Sequence, residues 1–210
     1  MVVRRHYAIG ITAAAAVGVA IGIALHSELS SSASARALAL PALHGQATWG
    51  PGARPAPSFV LRDQHGRLVS LRSLRGRPIA LTFMDSLCKQ ACPVEGRMVA
   101  SAIRQVAPDS RPRLVVVSVD PPGDTPATVA RAAGRWTLPR DVTWLLGSQK
   151  QLARVWRAYD ITVDPVSGDV VHSTAVYLID KRGGERAGFL LPFVPAFVAD
   201  DLRVLASEPM

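Results

Sequence analysis

Cysteine is scarce in this chain, occurring only at Cys88 and Cys92. A miniature fold stapled by several disulfides is therefore excluded. A zinc site closed by cysteine alone is excluded too, since it wants four ligands and there is no third cysteine. Histidine is limited to His6, His26, His44, His65 and His172. The sequence has no glycine-rich loop built to cradle phosphate, no Ser-His-Asp arrangement and no paired-carboxylate site. The net charge is +8, but the basic residues are scattered and not interleaved with aromatics, so no nucleic-acid platform is expected. That charge suits a solvated basic surface, or docking to anionic lipid or an acidic partner.

Apolar residues are plentiful, at 49% of 210 residues, enough for one packed domain with extensions. Arg4, Arg5 and His6 precede an uncharged run from Ala8 to Leu25. A basic start followed by an apolar run is the layout of an export signal. The run is at the short end of the roughly 17–25 residues that span a bilayer. Residues 1–26 are read as a signal anchor, or as a signal peptide cut near Ala33-Ser34-Ala35. The anchor is preferred because the run is long for a cleaved signal. Arg4-Arg5 gives only a weak twin-arginine match. Residues 27–57, rich in Ser and Ala and then punctuated by Pro51, Gly52, Pro55 and Pro57, are read as a flexible tether. Residues 58–210 form the working domain, on the extracytoplasmic side of the cell membrane, or secreted or periplasmic if the N-terminus is cleaved.

Within that domain the pattern is regular. Phe59–Leu61 and Leu68–Leu71 flank the turn Asp63-Gln64-His65-Gly66 as a β-hairpin. Ile79–Phe83 and Leu114–Val119 are short apolar runs of the kind found in buried parallel strands. Between them, Val94, Met98, Ala102 and Val106 recur at helical spacing. Asp124 or Thr125 can cap a helix running to Trp136, and Ser148 can cap another reaching Tyr159. Strands at Thr143–Leu146, Thr174–Ile179 and Arg186–Leu190, and a helix over Pro195–Ala206, complete the order. The expected class is α/β: a thioredoxin-like mixed sheet flanked by helices, with an N-terminal β-hairpin extension and a separate N-terminal transmembrane or signal helix.

Leu87-Cys88-Lys89-Gln90-Ala91-Cys92-Pro93 follows the first core strand and opens a helix. A four-residue spacing puts both sulfurs on one helix face, and a helix N-terminus favours thiolate over thiol. Three readings fit. A structural disulfide would close only a small loop and stabilise little. A redox dithiol is chemically apt, although the thioredoxin motif has two intervening residues rather than three. A metal site needs a further ligand. Two histidines lie in the expected domain. His65 falls in a turn, where a solvated residue is the simpler reading. His172 precedes the strand Thr174–Ile179, whose leading loop approaches the first helix in a thioredoxin-like fold. No proline stands at positions 171–175, where thioredoxins place theirs, and this weighs against general disulfide exchange.

From about Phe59 to Ala206 the sequence resembles the Sco/SenC copper-binding proteins of cytochrome oxidase assembly. The resemblance rests on the ordered series Leu61 to Leu71, Leu74 to Pro78, Leu81 to Phe83, Cys88-x-x-x-Cys92-Pro93, Ser118 to Pro126 and Val171 to Asp180. It implies one copper ion, Cu(I) or Cu(II), held by Cys88, Cys92 and His172, with Asp120 and Asp124 as a sensitive acidic pair near the site. It further implies a copper chaperone that assists assembly of the binuclear copper centre of a respiratory terminal oxidase. The partners would be the copper-receiving oxidase subunit or another copper chaperone, with the membrane engaged through the N-terminal helix. The alternative is a thiol-disulfide oxidoreductase acting on cysteines of exported or membrane proteins, with Cys88 and Cys92 as its redox pair. Two departures stand out. Lys89-Gln90-Ala91 replaces the common Pro-Asp-Val, and a lysine there should favour thiolate and alter which partner docks. Residues 165–171 separate Val163-Asp164 from His172, which reads as an inserted hairpin able to shift the histidine's approach.

Overall fold

The segment Ile79–Met84 (β4) is buried at every position. Its side chains alternate between two cores, Ala80 and Met84 packing on one face and Ile79, Leu81 and Phe83 on the other. Only a central strand with helices on both faces can bury a run of this kind. The computed structural model describes residues 42–166 and 169–210. The segment expected as anchor or signal, residues 1–26, lies outside the described residues. Among the described residues no helix is long and apolar enough to cross a membrane.

The strands are β1 (Ala47–Thr48), β2 (Val60–Asp63), β3 (Leu68–Ser70), β4, β5 (Arg113–Ser118), β6 (Thr143–Leu146), β7 (Val163–Val166), β8 (Asp169–His172), β9 (Ala175–Ile179) and β10 (Glu185–Leu190). The helices are α1 (Ala91–Arg104), α2 (Pro126–Arg135), α3 (Gln149–Ala158) and α4 (Pro195–Ser207). Eight strands form one sheet in the order β1-β10-β9-β4-β5-β6-β2-β3, and β7-β8 pair separately. The strands β4, β5 and β6 run parallel, β9 is antiparallel to β4, and β2 and β3 pair antiparallel at the far edge. One face packs against α1, α2 and α4, and the other against α3. This is a mixed α/β layout with a central sheet flanked by helices.

That connectivity decides where a site can form. The carboxyl ends of β4 and β5 and the amino end of β9 lie at one end of the sheet, since Thr82 pairs with Val176 and Met84 with Ser118. The loops after β4 and β5 and the segment leading into β9 therefore converge there.

One expectation needs correction, and one choice is decided. The folded part does not begin near Ser58: ordered contacts reach back to Leu43, which packs on the core. Ala47 and Thr48 pair with Gly188 and Ala187 of β10, and the Pro57 carbonyl accepts the Tyr159 hydroxyl at 2.9 Å. Proline- and glycine-rich composition suggests a tether, but here it shapes an extended strap against a sheet edge. The cap of α2 is Thr125, whose hydroxyl accepts the Thr128 N–H at 3.2 Å. Asp124 points inward instead.

Candidate metal centre

Helix α1 begins at Ala91 with no side-chain cap from its N-cap residue, Gln90. A sulfur serves instead, since the Cys92 N–H donates to Cys88 Sγ at 3.4 Å. A free first-turn N–H would otherwise need water or an anion. Both cysteines are unbridged, Cys88 half-buried and Cys92 buried. The Cys92 thiol and the N–H groups of Cys92, Gln90 and Ala91 all stabilise negative charge on Cys88. Partial burial opposes them, and the Cys88 thiol settles at about 5. Cys92 is pushed the other way, up from the usual thiol range, by that same hydrogen bond and by burial. At neutral pH the pair is one thiolate and one thiol sharing a proton. The helix-end N–H groups thus add to the Cys92 bond in favouring thiolate at Cys88, while Cys92 keeps its proton.

The ring of His172 arrives from β8. Its Nδ1 lies 3.0 Å from the Ser173 carbonyl oxygen. A carbonyl only accepts, so Nδ1 carries the proton and the lone pair is on Nε2. That Nε2 faces Cys92 Sγ at 3.4 Å. Two ligands bound at about 2.3 Å (sulfur) and 2.0 Å (nitrogen) to one tetrahedral ion lie roughly 3.5 Å apart, taking zinc bond lengths as a guide. The Cys92–His172 spacing therefore fits a shared metal, and two soft thiolates with one imidazole suit Cu(I). Among the described residues no three such donors already surround a common point. Cys92 touches both of the others, and its proton must leave before all three can bind one ion.

A carboxylate layer lies behind the cysteines. Asp124 accepts the Ser86 N–H at 2.8 Å, bracing the loop that carries Cys88, and burial raises its pKa. Asp85 accepts the Leu87 N–H at 2.7 Å. Burial lifts Asp85 to about 6 against that bond, and the charges of Asp124, Asp120 and Cys88 push in the same direction. Asp120 crowds Gly123, where a Cβ would come within 1.9 Å of its Oδ2. Any larger residue there would push the Asp120 and Leu87 side chains aside. The acidic pair named from the sequence thus shapes two loops, with Asp124 buried and Asp120 partly so.

Sequence reasoning passed over Asp85 and Glu95. Glu95 is fully buried one turn beyond Cys92, against Thr82. The one available signal was its place three residues after Cys92, on the face that the helical period turns inward. His65 is exposed in the β2–β3 turn, away from the cysteines in sequence and element. His44, left outside the expected domain, bonds Asp201 through Nδ1 at 2.7 Å and stacks on Phe197.

The SCO1/SenC family model matches residues 50–205. Protein SenC of Rhodobacter capsulatus is 28% identical over 167 residues, covering 75% of this chain and 73% of that protein. The SCO1 protein homolog of Bacillus subtilis is 28% identical over 153 residues, covering 70% and 79% respectively. Among solved structures, Bradyrhizobium japonicum ScoI with copper bound is 28% identical with a TM-score of 0.63, covering 72% of this chain and 99% of that one.

Proposed function

This chain belongs to the SCO1/SenC family, and from that premise we propose that it is an extracytoplasmic copper chaperone holding one copper ion between Cys88, Cys92 and His172. The reading is carried by one observation: the Nε2 lone pair of His172 faces Cys92 Sγ at 3.4 Å while Cys92 also contacts Cys88. The copper-bound state of ScoI supports the choice of metal. Residues 1–26 hold the domain at the membrane, and its recipient is an oxidase subunit whose binuclear copper centre is being assembled, or another copper chaperone.

The chain's own groups divide the work. Cys88, already a thiolate and half-exposed, meets the cargo first. Cys92 then releases its proton and becomes the second sulfur ligand. The Ser173 carbonyl keeps the His172 tautomer that presents Nε2. An ionised, accessible Cys88 backed by a buried thiol also suits thiol-disulfide exchange. That second reading is kept because the same pair would serve it.

Anaerobic titration of the full chain with Cu(I), and separate titration with Cu(II), tests the copper reading. Wild type should take about one ion per chain. His172→Ala should weaken Cu(II) binding by about 100-fold, the scale of losing an oriented imidazole, and weaken Cu(I) binding less because both thiolates remain. Equal affinity of wild type and variant for both ions would remove His172 from the site. Disulfide turnover at enzyme-like rates without copper would favour the second reading.

A further inference from the structure

We propose that a groove beside Cys88 is the docking seat for an acidic, cysteine-bearing segment of the protein that receives the copper; this rests on the copper-transfer reading above. The groove has a volume of about 450 Å³. Leu87, Cys88 and Lys89 form one wall, and Pro93 and Arg97 of α1 another. Arg135 and Trp136, at the end of α2, close it. Three of these side chains are cationic and none is acidic.

None of the three cations forms an ion pair with a carboxylate among the described residues. Arg135 gives one N–H to the Ser86 carbonyl at 3.4 Å, which leaves most of its five donors for another partner. Of the nearby acids, Asp85 and Asp124 are buried and Asp120 is partly so. Two carboxyl groups thus lie behind the Cys88 loop, and the three cations line the groove in front of it. Leu87, 49% exposed, adds an apolar lip.

Ligand exchange gives this sorting a use. A receiving thiolate must come close to the Cys88 thiolate, and two like charges repel. Lys89, Arg97 and Arg135 offset that repulsion at the point of approach. They also attract carboxylates flanking the incoming cysteine. A cationic segment would be turned away by the same field.

The test uses the copper-free full chain and three peptides of equal length, each with one central cysteine activated as a disulfide with 2-thiopyridine. The flanking residues are acidic, neutral or basic. The Cys88 thiolate attacks the peptide sulfur, the new S–S bond forms as the old one breaks, and 2-thiopyridone leaves with a proton from water. Its absorbance gives the rate. At low salt the acidic peptide should react about tenfold faster than the neutral one, and the basic peptide slower. High salt should collapse that spread. Arg97→Gln with Arg135→Gln should shrink the acidic-to-basic ratio about fivefold or more, with Lys89→Gln as an independent check on a different wall. Equal rates for the three peptides in wild type, or an undiminished ratio in the double variant, would overturn the proposal. Copper stoichiometry is measured on the same samples. One ion per chain without charge selectivity removes only the docking seat, whereas no copper at all removes the reading beneath it.

Discussion

Thr82 Oγ1 has one proton and two close neighbours. The Ala175 carbonyl oxygen, 3.0 Å away, can only accept it. The proton can equally go to the other neighbour, Glu95 Oε1. The proton on Glu95 itself is a matter of its surroundings. Burial raises Glu95 to about 8, the Thr82 bond works against the rise, and the charge on Cys88 adds to it. Its second oxygen has no partner, an arrangement that would be costly for an ionised group. An unfolded glutamate titrates near 4.3. Between that value and about 8 the folded chain therefore binds the extra proton. Stability falls as pH rises through this window and levels off above it. Glu95→Gln keeps an oxygen to accept from Thr82 and cannot ionise. Thermal melts of the two proteins should agree near pH 5 and diverge towards pH 8, with Gln the more stable by a few kcal/mol. Parallel melting curves across that range would show that Glu95 is ionised. Cys88, Cys92 and His172 stood out in the sequence because their chemistry is rare, and the fold brings the three together. Glu95 was not legible, because a glutamate early in a helix ordinarily faces water and favours the helix dipole. Only the closeness of β4 and β9 turns it into a buried acid.

At the scale of elements, the inserted β7-β8 hairpin decides what His172 can do. Its register pairs Val163 with His172 and Asp164 with Val171. Val171 is 60% exposed, whereas His172 is partly buried and faces Cys92. Alternation along the strand separates the two residues. The base of the hairpin is pinned by Ser173, whose N–H donates to the Thr162 carbonyl at 3.0 Å and whose hydroxyl accepts the Thr162 N–H at 3.2 Å. The insertion was readable as a hairpin from Pro165, Gly168 and the flanking valines. Its register was not, because register depends on which face the sheet end buries. Inserting one glycine between Val171 and His172 should turn the imidazole away from Cys92. Cu(II) affinity should then fall about as far as in His172→Ala, roughly 100-fold, with little change in melting temperature, since few core contacts are lost. An insertion that left copper affinity at the wild-type value would mean that the loop, not the register, places the histidine.

Across the whole molecule, the boundary between tether and domain was the feature least legible in the sequence. Composition is local, whereas the contacts that fix residues 43–57 are distant: the His44 N–H bonds both oxygens of Asp201 across 157 positions. Gly45 lies so close to Ala187 that a Cβ would come within 2.9 Å of its side chain. Further along, the Trp49 N–H donates to the Arg186 carbonyl at 2.9 Å, and Arg186 Nε returns a bond to the Trp49 carbonyl at 3.0 Å. Arg186 is buried and also paired with Glu208 and Asp180. Removing the strap would leave three kinds of damage. Asp201 would lose the donors that offset its burial, at about 1.5–3 kcal/mol for each charged hydrogen bond. Arg186 would keep a buried N–H without a partner. The strand β10 would become an open sheet edge, a template for pairing with other chains. A chain beginning at Ser58 should accordingly melt well below one beginning at Leu43 and should self-associate as its concentration rises. Melting scans and light scattering on the two chains decide the matter. If both melt together and stay monomeric, the strap is dispensable and the tether runs to residue 57 after all. If they separate, residues 43–57 belong to the folded domain and the strap closes its sheet edge.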